Sequence, residues 1–390
     1  MARLGDIATV ITKGTTPTSI GFSFQNEGIN FVKIESIDET GSFICEKFDH
    51  ISDECHEKLK RSQLQENDIL FSIAGAIGRT AIVTKDILPA NTNQALAIIR
   101  IPQGVINYSF LLYILQSSAV LEQAEKKKQG VAQLNLSLKD IGDFIIPDIP
   151  LEEQQEIVDN LNKVSNLITL RKQQLSKLDE LVKSRFIEMF GTTGKQVPLT
   201  EYVWFQEGPG VRSVDFTDDG TILLTGSNIN DNTISFGYKS DRHISNELAS
   251  GKYAHFICDR DDILVVSSAI DPDKFDKKVV VVDVDKKYCL NTGIIRFKPN
   301  KQYLTLGYFR EFLKTDYFKH QVSSEMRGIA QMHFGPSHLK QMTILLPDSV
   351  ERQIEFEAFV QQTDKSKLAI QQSLEKLETL KKALMQKYFG

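Results

Sequence analysis

The sequence LDELVKSRFIEMFG at residues 178–191 returns as LETLKKALMQKYFG at residues 377–390, an offset of 199. Further matches follow in the same order at nearly the same offset, which chance does not readily produce. They are Glu66–Leu70 with Asp261–Leu264, Asn91-Thr92-Asn93 with Asn291-Thr292-Gly293, Gly130-Val131-Ala132-Gln133 with Gly328-Ile329-Ala330-Gln331, and Ile145-Ile146-Pro147 with Leu345-Leu346-Pro347. Because a long internal repeat indicates a repeated structural unit, the chain is predicted to hold two copies of one module.

Each copy divides into a globular part and a long charged segment, which predicts an α+β fold with globular domains at residues 1–150 and 192–348 and helices at residues 151–191 and 349–390. A chain of 390 residues is also too long for a single ordinary core. The globular parts are predicted to be mixed and rich in strands. Short apolar runs predict strands at Asp68–Ile73, Ala95–Ile99 and Lys278–Asp283, and helical spacing predicts helices at Tyr108–Gln123 and Leu304–Lys319.

The two charged segments carry apolar residues at alternating steps of four and three, the pattern of a coiled coil. Pro150 and the acids after it suit a helix start, and Gly191 and Gly390 suit helix ends. We predict that the helices pair with each other as an antiparallel coiled coil; in the alternative, each packs as a surface helix on its own domain. The predicted seam consists of Ile157, Leu161, Val164, Ile168, Leu175, Leu178, Val182, Phe356, Val360, Ile370, Leu374, Leu377 and Leu384.

Composition is that of a soluble globular protein, with 41% hydrophobic and 25% charged residues. The net charge is −5, and neither globular segment is basic: residues 1–150 carry 14 Lys and Arg against 18 Asp and Glu, and residues 192–350 carry 19 against 20. Since phosphate neutralisation drives nucleic-acid affinity, a DNA-binding role requires positive groups focused on one face, partners that supply phosphate contacts, or both. No apolar stretch is long enough to cross a membrane, and the first residues do not form a signal peptide.

Catalytic motifs are missing from the sequence. An adenine methyltransferase of the relevant class needs a Gly-rich cofactor loop and an Asn/Asp-Pro-Pro-aromatic motif, whereas Asp271-Pro272-Asp273 lacks the second Pro and the aromatic residue. The segment Gly191–Lys195 lacks the glycine spacing of a P-loop. Asp271, Asp273 and Lys274 could form a nuclease site, but a solvated loop explains them better. Four scattered cysteines form no metal motif and indicate reduced, mostly buried thiols of a cytoplasmic protein.

Two globular units, each closed by a helix that follows a proline and ends in Phe-Gly, resemble the specificity subunits of Type I restriction-modification systems. Motifs of the first copy that resemble the family's target-recognition domain are Leu4-Gly5-Asp6-Ile7, Lys13–Pro17, Asp68–Ser72, Gly78-Arg79, Asn93-Gln94 and Gly130–Asn135. The first helix opens with Pro-Leu-Glu-Glu-Gln at residues 150–154. The second copy departs more from these motifs, which fits two units that read different sequences.

The resemblance implies a non-catalytic subunit in which each globular unit reads one half of a bipartite site in double-stranded DNA. It implies that the paired helices set the gap between the halves and dock two methyltransferase subunits, and that restriction subunits join this core. It implies no cofactor and no metal in this chain.

Polar loops supply candidate DNA contacts, because base edges are read by Arg, Lys, Asn and Gln and phosphates by small or hydroxyl residues. An ordinary solvated loop or helix end is the alternative for each. The candidates are Lys13, Thr15, Thr16, Arg79, Asn93, Gln94, Lys126, Lys127, Lys128, Gln133 and Asn135 in the first copy, and Arg212, Asn228, Lys239, Arg242, Arg327, Gln331 and His333 in the second.

The repeat and the helices also suit another class of function, a coiled-coil adaptor that assembles proteins without touching DNA. The polar loops at matching places in both copies favour DNA recognition over this alternative.

Overall fold

The computed structural model describes residues 1–127, 135–191, 194–268, 271–283, 287–324 and 333–390. The chain forms two compact units. Unit 1 comprises Met1–Lys172 with Gln372–Gly390, and unit 2 comprises Gln173–Gln371. Each unit therefore holds one globular part together with a portion of both long helices.

The first globular part and the helix that follows it contain nine strands and six α-helices among the described residues. The strands are β1 (Ala2–Arg3), β2 (Val10–Lys13), β3 (Ile29–Val32), β4 (Asp49–Ile51), β5 (Ile69–Ser72), β6 (Thr80–Ile82), β7 (Ala90–Thr92), β8 (Leu96–Arg100) and β9 (Ile145–Ile146). The helices are α1 (Leu4–Ile7), α2 (Asp53–Lys58), α3 (Tyr108–Leu115), α4 (Ser118–Lys127), α5 (Leu138–Gly142) and α6 (Leu151–Phe190).

The second globular part and its long helix contain twelve strands and six α-helices in the part of the chain described. The strands are β10 (Lys195–Pro198), β11 (Val203–Glu207), β12 (Phe216–Thr217), β13 (Thr221–Leu224), β14 (Ile229–Asn230), β15 (Thr233–Ile234), β16 (Arg242–Ile244), β17 (Ile263–Val266), β18 (Val279–Val281), β19 (Tyr288–Leu290), β20 (Ile294–Pro299) and β21 (Thr343–Leu346). The helices are α7 (Leu199–Tyr202), α8 (Asn246–Ser250), α9 (Leu306–Phe312), α10 (Asp316–Ser324), α11 (Pro336–Leu339) and α12 (Val350–Phe389).

Both units are built on the same antiparallel four-stranded sheet, with order β2-β8-β5-β6 in unit 1 and β11-β20-β17-β18 in unit 2. A second sheet follows in each, with order β4-β3-β7 in unit 1 and β12-β16-β13-β19 in unit 2. Each second sheet contains one parallel pair, β3 with β7 and β13 with β19. The predicted duplication is thus confirmed at the level of strand order.

The central strands are buried on both faces, which explains why their sequences are continuous apolar runs. In β5, Ile69 and Phe71 join the core beneath the helices. Leu70, between them, joins the core beneath the second sheet. The alternation follows from the two-residue period of a strand, and the sheet therefore lies between two apolar layers.

The long helices confirm the sequence prediction, since α6 runs from Leu151 to Phe190 and α12 from Val350 to Phe389. The predicted helices Tyr108–Gln123 and Leu304–Lys319 are wrong as single elements, because each is broken into two. A hydroxyl residue lies at each break: Ser117 Oγ donates to the Ile114 carbonyl at 2.6 Å, and Thr315 Oγ1 donates to the Phe312 carbonyl at 2.6 Å. Each side chain satisfies a carbonyl at the end of one helix, just before the next begins.

Seam residues near the helix ends pack on the globular parts. Ile157 and Leu161 belong to the helix-side core of unit 1, and Val182, Phe356 and Val360 belong to the main core of unit 2. Val164 is also buried. Leu384, near the end of α12, is half-buried and packs against the helix-side core of unit 1. The seam residues farther from the helix ends are also half-buried; they are Ile168, Leu175, Leu178, Ile370, Leu374 and Leu377. Within the described residues, no helix combines the length and the apolar composition that a membrane span requires.

Candidate nucleic-acid interface

Four chain segments of unit 1 meet at one end of its four-stranded sheet. Strands β2 and β5 end there, and β6 and β8 begin there. The amide N–H of Gly14 donates to the Asn93 carbonyl at 3.1 Å, and that of Thr15 donates to the Thr92 carbonyl at 3.2 Å. Antiparallel pairing thus brings together two loops that are about eighty residues apart in sequence.

Gly14 is required by this close approach. A Cβ at this position would lie 1.9 Å from the Thr92 carbonyl oxygen, far inside van der Waals contact. The equivalent glycine in unit 2 is Gly208, where a Cβ would lie 2.2 Å from the Asn291 carbonyl oxygen. The same glycine therefore fixes the same loop crossing in both copies.

Most of the candidates in unit 1 lie around this crossing. Lys13 and Gln94 are exposed, Thr15 and Thr16 are half-buried, and Thr16 Oγ1 donates to Gln94 Oε1. The structure therefore brings these hydroxyl, amide and ammonium groups to one end of the sheet.

Asn93 and Asn135 lie at the same end. Asn93 Oδ1 accepts from the Ala95 N–H at 3.0 Å, which shapes the turn into β8. Asn135 is exposed and forms a bridge with Ala74, next to the end of β5. One amide thus builds the loop, and the other lies at its surface.

The remaining described candidates of unit 1 have protein partners. The guanidinium of Arg79 donates from Nη1 to the carbonyls of Ile34, at 3.1 Å, and Ile37, at 2.9 Å. Lys127 lies 3.6 Å from the Asp143 carboxylate, whereas Lys126 is exposed. Arg79 thus holds together the backbone beside the loops.

Unit 2 presents an equivalent end. The Thr292 N–H donates to the Pro209 carbonyl at 2.9 Å, and the Phe334 N–H donates to the Ser267 carbonyl at 2.9 Å. His333 is exposed and shares a hydrogen bond with Ser268, 2.9 Å from Nδ1 to Oγ. Arg212 is exposed in the adjoining loop.

The loop that carries Lys239 and Arg242 is braced by Asp241. This carboxylate accepts from the Gly237 N–H at 2.6 Å, from the Tyr238 N–H at 3.0 Å and from the Asn228 side chain at 2.8 Å. Burial acts to raise the pKa of Asp241, but these hydrogen bonds outweigh it and lower the pKa below its ordinary value. Both cations are exposed on this braced loop.

Asn228 lies inside unit 2 and not on its surface. It is fully buried, its Nδ2 donates to Asp241 and to the Ser235 carbonyl, and its Oδ1 accepts from the Thr225 N–H at 3.0 Å. Because both Oδ1 and Nδ2 of Asn228 are bonded within the protein, this side chain positions the loop. The predicted DNA contact at Asn228 is therefore replaced by a structural role. The predicted contacts Lys128, Gln133, Arg327 and Gln331 lie outside the described residues.

Sequence reasoning did not include two exposed cations at the same end of unit 2. Lys274 and Lys277 lie between β17 and β18, and they pair with Asp271 at 3.3 Å and Asp231 at 3.0 Å. The charged residues before β18 were the available signal, but from the sequence alone Asp271, Asp273 and Lys274 are interpreted as a solvated loop. The place of these residues between two strands that end at the interface could not be seen from the charges themselves.

Metal binding and cysteine chemistry are the other kinds of site to consider in the described residues. His, Cys, Asp and Glu side chains there do not gather in threes in a way that could hold a metal ion. Cys55, Cys258 and Cys289 are buried and Cys45 is exposed, all as free thiols. Burial raises the pKa of the Cys289 thiol to about 11, so this thiol stays protonated and unreactive at neutral pH.

The fold and these loops define a class of protein: two copies of a mixed α/β module, each with a polar, loop-rich end, joined to two long helices. The family model for the Type I restriction modification DNA specificity domain matches residues 1–180 and 197–382. The chain therefore belongs to the Type I restriction-modification DNA specificity family, and the resemblance predicted from the sequence is confirmed.

Individual proteins that are similar to this chain also come from Type I restriction-modification systems. Over 134 residues the chain is 37% identical to the Type I restriction enzyme EcoBI specificity subunit of Escherichia coli, a match that covers 34% of this chain and 27% of that subunit. A solved structure that describes complex assembly and conformational transition of the type I R-M system is similar with a TM-score of 0.59 at 19% identity, covering 100% of this chain and 96% of the other. The Type I S subunit from M. genitalium is similar with a TM-score of 0.52 at 14% identity, covering 100% and 95%.

Proposed function

We propose that this chain is the DNA-recognition subunit of a Type I restriction-modification complex, in which each loop-rich end reads one half of a bipartite site in double-stranded DNA. The observation that carries the proposal is the repetition of one loop crossing, at Gly14 and at Gly208, on sheets of the same strand order. The family match over both copies supports it. Two equivalent ends with different side chains suit two different half-sites.

The proposed contacts combine groups that hold phosphates with groups that read base edges. Exposed Lys13, Lys239 and Arg242 suit phosphates, and Gln94, Arg212 and His333 suit base edges or phosphates. Thr15, Thr16, Asn93 and Asn135 lie beside them in unit 1, and Lys274 and Lys277 extend the surface in unit 2.

We further propose that α6 and α12 pair as an antiparallel coiled coil that spaces the two readers. In unit 1, Lys172 lies 3.5 Å from Glu378, and Asn160 Nδ2 lies 3.5 Å from the Tyr388 hydroxyl. In unit 2, Lys367 lies 2.5 Å from Asp179, and Arg185 lies 3.3 Å from Glu355. In each unit the residue number rises along one helix as it falls along the other, which supports an antiparallel arrangement.

Two methyltransferase subunits and the restriction subunits are the proposed partners, and they supply the catalysis in the cytoplasm. The near balance of charges in both globular segments supports a need for partners, because phosphate contacts require an excess of positive charge. We therefore expect the chain alone to bind DNA weakly and to bind it much more tightly with the methyltransferase subunits.

A domain exchange tests the proposal. Replacing residues 1–150 with the same segment of another family member is expected to change one half of the methylated sequence and leave the other half and the gap unchanged. The methylation pattern of cells that express the exchanged chain with its partners is the measurement, and exchange of residues 192–348 is the matched experiment. A change in both halves from either exchange would contradict the two-reader arrangement.

DNA contact itself is tested against the adaptor alternative by charge-matched variants. Lys13→Ala removes a proposed phosphate contact, whereas Lys85→Ala removes an exposed lysine elsewhere in unit 1. In the assembled methyltransferase, Lys13→Ala is expected to lower the slope of log affinity against log salt by about one, and Lys85→Ala to leave it unchanged. Assembly without any sequence-specific DNA binding would favour the adaptor.

The spacer is tested by inserting one heptad into each helix, at Lys172 and at Gln371. A heptad keeps the apolar seam in register and lengthens a helix by about 10 Å at ~1.5 Å per residue. The gap in the methylated site should grow by roughly three base pairs, at ~3.4 Å each, if the helices lie along the DNA axis, and by less if they are tilted. An unchanged gap in an active complex would remove the helices as the spacer.

A further inference from the structure

A short 3₁₀ helix leaves the second sheet at the loop-rich end of each unit. It is Ile34–Ser36 in unit 1, just after β3, and Gly226–Asn228 in unit 2, just after β13. Because β3 is parallel to β7 and β13 to β19, both 3₁₀ helices begin beside the loop crossing described above. We call the chain from here to the next strand of that sheet the return loop, residues 33–48 in unit 1 and 225–241 in unit 2.

In unit 1, Arg79 binds the carbonyls at both ends of the 3₁₀ helix. Its Nη1 donates to Ile34, the first residue of the helix, at 3.1 Å, and to Ile37, which follows the last residue, at 2.9 Å. The final carbonyls of a helix have no partners within it, and a cationic side chain can satisfy them. Arg79 immediately precedes β6, and its amide N–H donates to Ser72 Oγ at 2.7 Å, so the four-stranded sheet fixes the backbone of the cation.

In unit 2, Lys278 makes the same two contacts. Its Nζ donates to the carbonyl of Gly226, the first residue of the helix, at 3.3 Å, and to that of Ile229, which follows the last residue, at 2.8 Å. It also donates to Asn230 Oδ1 at 2.6 Å, so all three donors of the ammonium are used within the protein. Burial lowers the pKa of Lys278 below its ordinary value, against the opposing charge of Asp231.

The two cations are equivalent in the repeat. Arg79 immediately precedes β6 and Lys278 immediately precedes β18, and each binds two carbonyls that lie three residues apart. A guanidinium and an ammonium both carry several N–H donors and no acceptor, so either can make this pair of contacts. The two copies therefore share the contact and not the side chain, which indicates that the contact itself has a role.

In unit 2 the return loop leads from this 3₁₀ helix to proposed DNA contacts. Asn228, the last residue of the 3₁₀ helix, donates from Nδ2 to the Asp241 carboxylate at 2.8 Å. Asp241 also accepts from two main-chain N–H groups of the segment that carries Lys239, and Arg242 begins the strand that follows. Lys278 therefore holds the first member of a series of hydrogen bonds that ends beside two exposed cations.

In unit 1 the return loop is fastened to its 3₁₀ helix in a similar way. The Ser36 hydroxyl accepts from the Lys33 N–H at 3.2 Å and donates to the Lys47 carbonyl at 3.0 Å. The Ser36 carbonyl accepts from the Ile44 N–H at 2.9 Å. Both ends of the loop thus depend on the helix that Arg79 binds, and Lys47 is exposed where the loop approaches β4.

We propose that Arg79 and Lys278 are positioning residues that determine half-site specificity, because each holds a return loop in the conformation that presents its polar groups to DNA. The proposal rests on the proposed function of the two units as DNA readers. Direct readout needs donors and acceptors placed at base edges, so a return loop released from its 3₁₀ helix would accept more sequences. The effect is confined to the half-site of the unit that carries the change, since each cation binds only its own loop.

Methionine variants test the proposal, because methionine keeps an unbranched side chain and removes the charge and the donors. Methylation by the assembled complex is measured on DNA duplexes that carry one base-pair change in one half-site. Arg79→Met is expected to lower discrimination in the half-site of unit 1 by about tenfold, the lower part of what one base contact contributes, and to leave the other half-site unchanged. Lys278→Met is expected to have the reverse effect.

Further measurements separate positioning from DNA contact and from general loss of structure. Arg79→Lys and Lys278→Arg should keep discrimination close to that of the unaltered chain, because each still donates to both carbonyls. The slope of log affinity against log salt should stay unchanged in the methionine variants, since no phosphate contact is lost. Hydrogen exchange should become faster in the return loop of the altered unit and stay unchanged in its four-stranded sheet.

Lys85→Met and Lys301→Met, at exposed lysines of units 1 and 2, are the charge-matched controls and should leave both half-sites unchanged. Full discrimination in either methionine variant at Arg79 or Lys278 overturns the proposal. A salt slope lowered by about one also overturns it, because the cation would then be a phosphate contact. Failure of the proposed function gives a different result, since the unaltered complex would then show no half-site discrimination.

The methionine variants could also unfold the unit that carries them. If hydrogen-exchange protection is lost throughout that unit, Arg79→Gln and Lys278→Gln replace them, since a glutamine amide can still donate to one carbonyl. Lower discrimination in one half-site, with an unchanged salt slope, then supports the proposal. Full discrimination in a folded glutamine variant overturns it.

Discussion

The two units make the same helix contact with different chemistry. In unit 1, α3 packs on α6 through neutral groups: the Tyr113 hydroxyl donates to Asn162 Oδ1 at 2.7 Å and lies 3.4 Å from Ser165 Oγ. In unit 2, Glu311 of α9 is nearly buried between Arg310, at 2.7 Å, and Lys314, at 3.0 Å. Arg310 reaches Asp364 of α12 at 3.4 Å.

The residues involved are equivalent in the repeat. Glu311 replaces Tyr113, and Asp364 replaces Ser165, at offsets of 198 and 199. One backbone arrangement is therefore compatible with either neutral hydrogen bonds or a network of charges, because each set is satisfied within itself.

A different contact, the acceptance of a main-chain N–H by a glutamine, is retained in both units, while the carbonyl to which the glutamine donates differs. The Gln154 side chain accepts from the Asn107 N–H at 2.8 Å and donates to the Ile149 carbonyl at 2.7 Å. The Gln353 side chain accepts from the Thr305 N–H at 2.9 Å and donates to the Tyr303 carbonyl at 2.9 Å. Main-chain groups cannot be substituted, so a side chain that satisfies them is kept, whereas side chains that satisfy each other can change together.

The largest expected effect follows from breaking the charged contact of unit 2. Glu311→Ala leaves Arg310 and Lys314 facing each other without the carboxylate and should destabilise unit 2 by about 3–5 kcal/mol. Hydrogen exchange of peptides from each unit measures the two stabilities separately. Glu351→Ala, at an exposed position of α12, is the control and should leave the protection of α9 unchanged. Unchanged protection of α9 in the Glu311→Ala variant would show that the charges contribute nothing.

The retained contact should matter equally in both copies. Gln154→Ala and Gln353→Ala each remove the acceptor of a partly buried amide N–H and the donor to a carbonyl, which costs about 1–3 kcal/mol. The same exchange measurement should show the loss in the unit that carries the change. Gln361→Ala, exposed on α12, should have little effect, and a large difference between the two glutamine variants would break the equivalence of the copies.

Lowering the pH should reduce the stability given by the charged contact of unit 2 and should not act in this way on the neutral contact of unit 1. Burial acts to raise the pKa of Glu311, but the charges of Lys314 and Arg310 outweigh it and lower the pKa below its ordinary value. A lowered carboxyl pKa gives stability that is present above the unfolded-state pKa, about 4.3, and is lost as the pH falls through the folded-state value.

Glu311→Gln isolates this titration. At neutral pH the variant should be less stable than the unaltered chain, and the gap should close as the pH falls below about 4. Urea unfolding followed in each unit at a series of pH values measures the gap. A gap that stays constant with pH would show that Glu311 does not titrate with folding.

Sequence alone predicted the elements whose signals are local. The long helices were readable because a proline, a repeated apolar spacing and a glycine mark each one. Strands β5 and β8 were readable as apolar runs because both faces are buried. The crossing at Gly14 and Thr92 was expected only as two polar loops, since strand pairing across about eighty residues leaves no local mark.

The errors have physical causes of the same kind. Ser117 and Thr315 end one helix and precede the next, but a hydroxyl residue inside an apolar helical pattern reads equally well as a surface position. Asn228 has the composition of a DNA-reading loop, yet its partner Asp241 lies 13 residues away and draws it inside. Gln154 was visible as part of a family motif, while its partners on the main chain were not.

The smallest expected effect concerns the neutral contact of unit 1. Tyr113→Phe removes the hydroxyl that donates to Asn162 but keeps the ring, which is 7% exposed in the core. Losing one neutral hydrogen bond costs about 1 kcal/mol, and Ser165 can turn toward Asn162 to recover part of it. Urea unfolding of unit 1 should therefore shift slightly toward lower urea, with the slope unchanged. Tyr303→Phe, at a half-exposed ring of unit 2, should leave unit 1 unaffected. If Tyr113→Phe instead cost as much as Glu311→Ala costs unit 2, the neutral hydrogen bonds would contribute as much as the charges, and the contrast between the copies would lie in chemistry alone and not in energy.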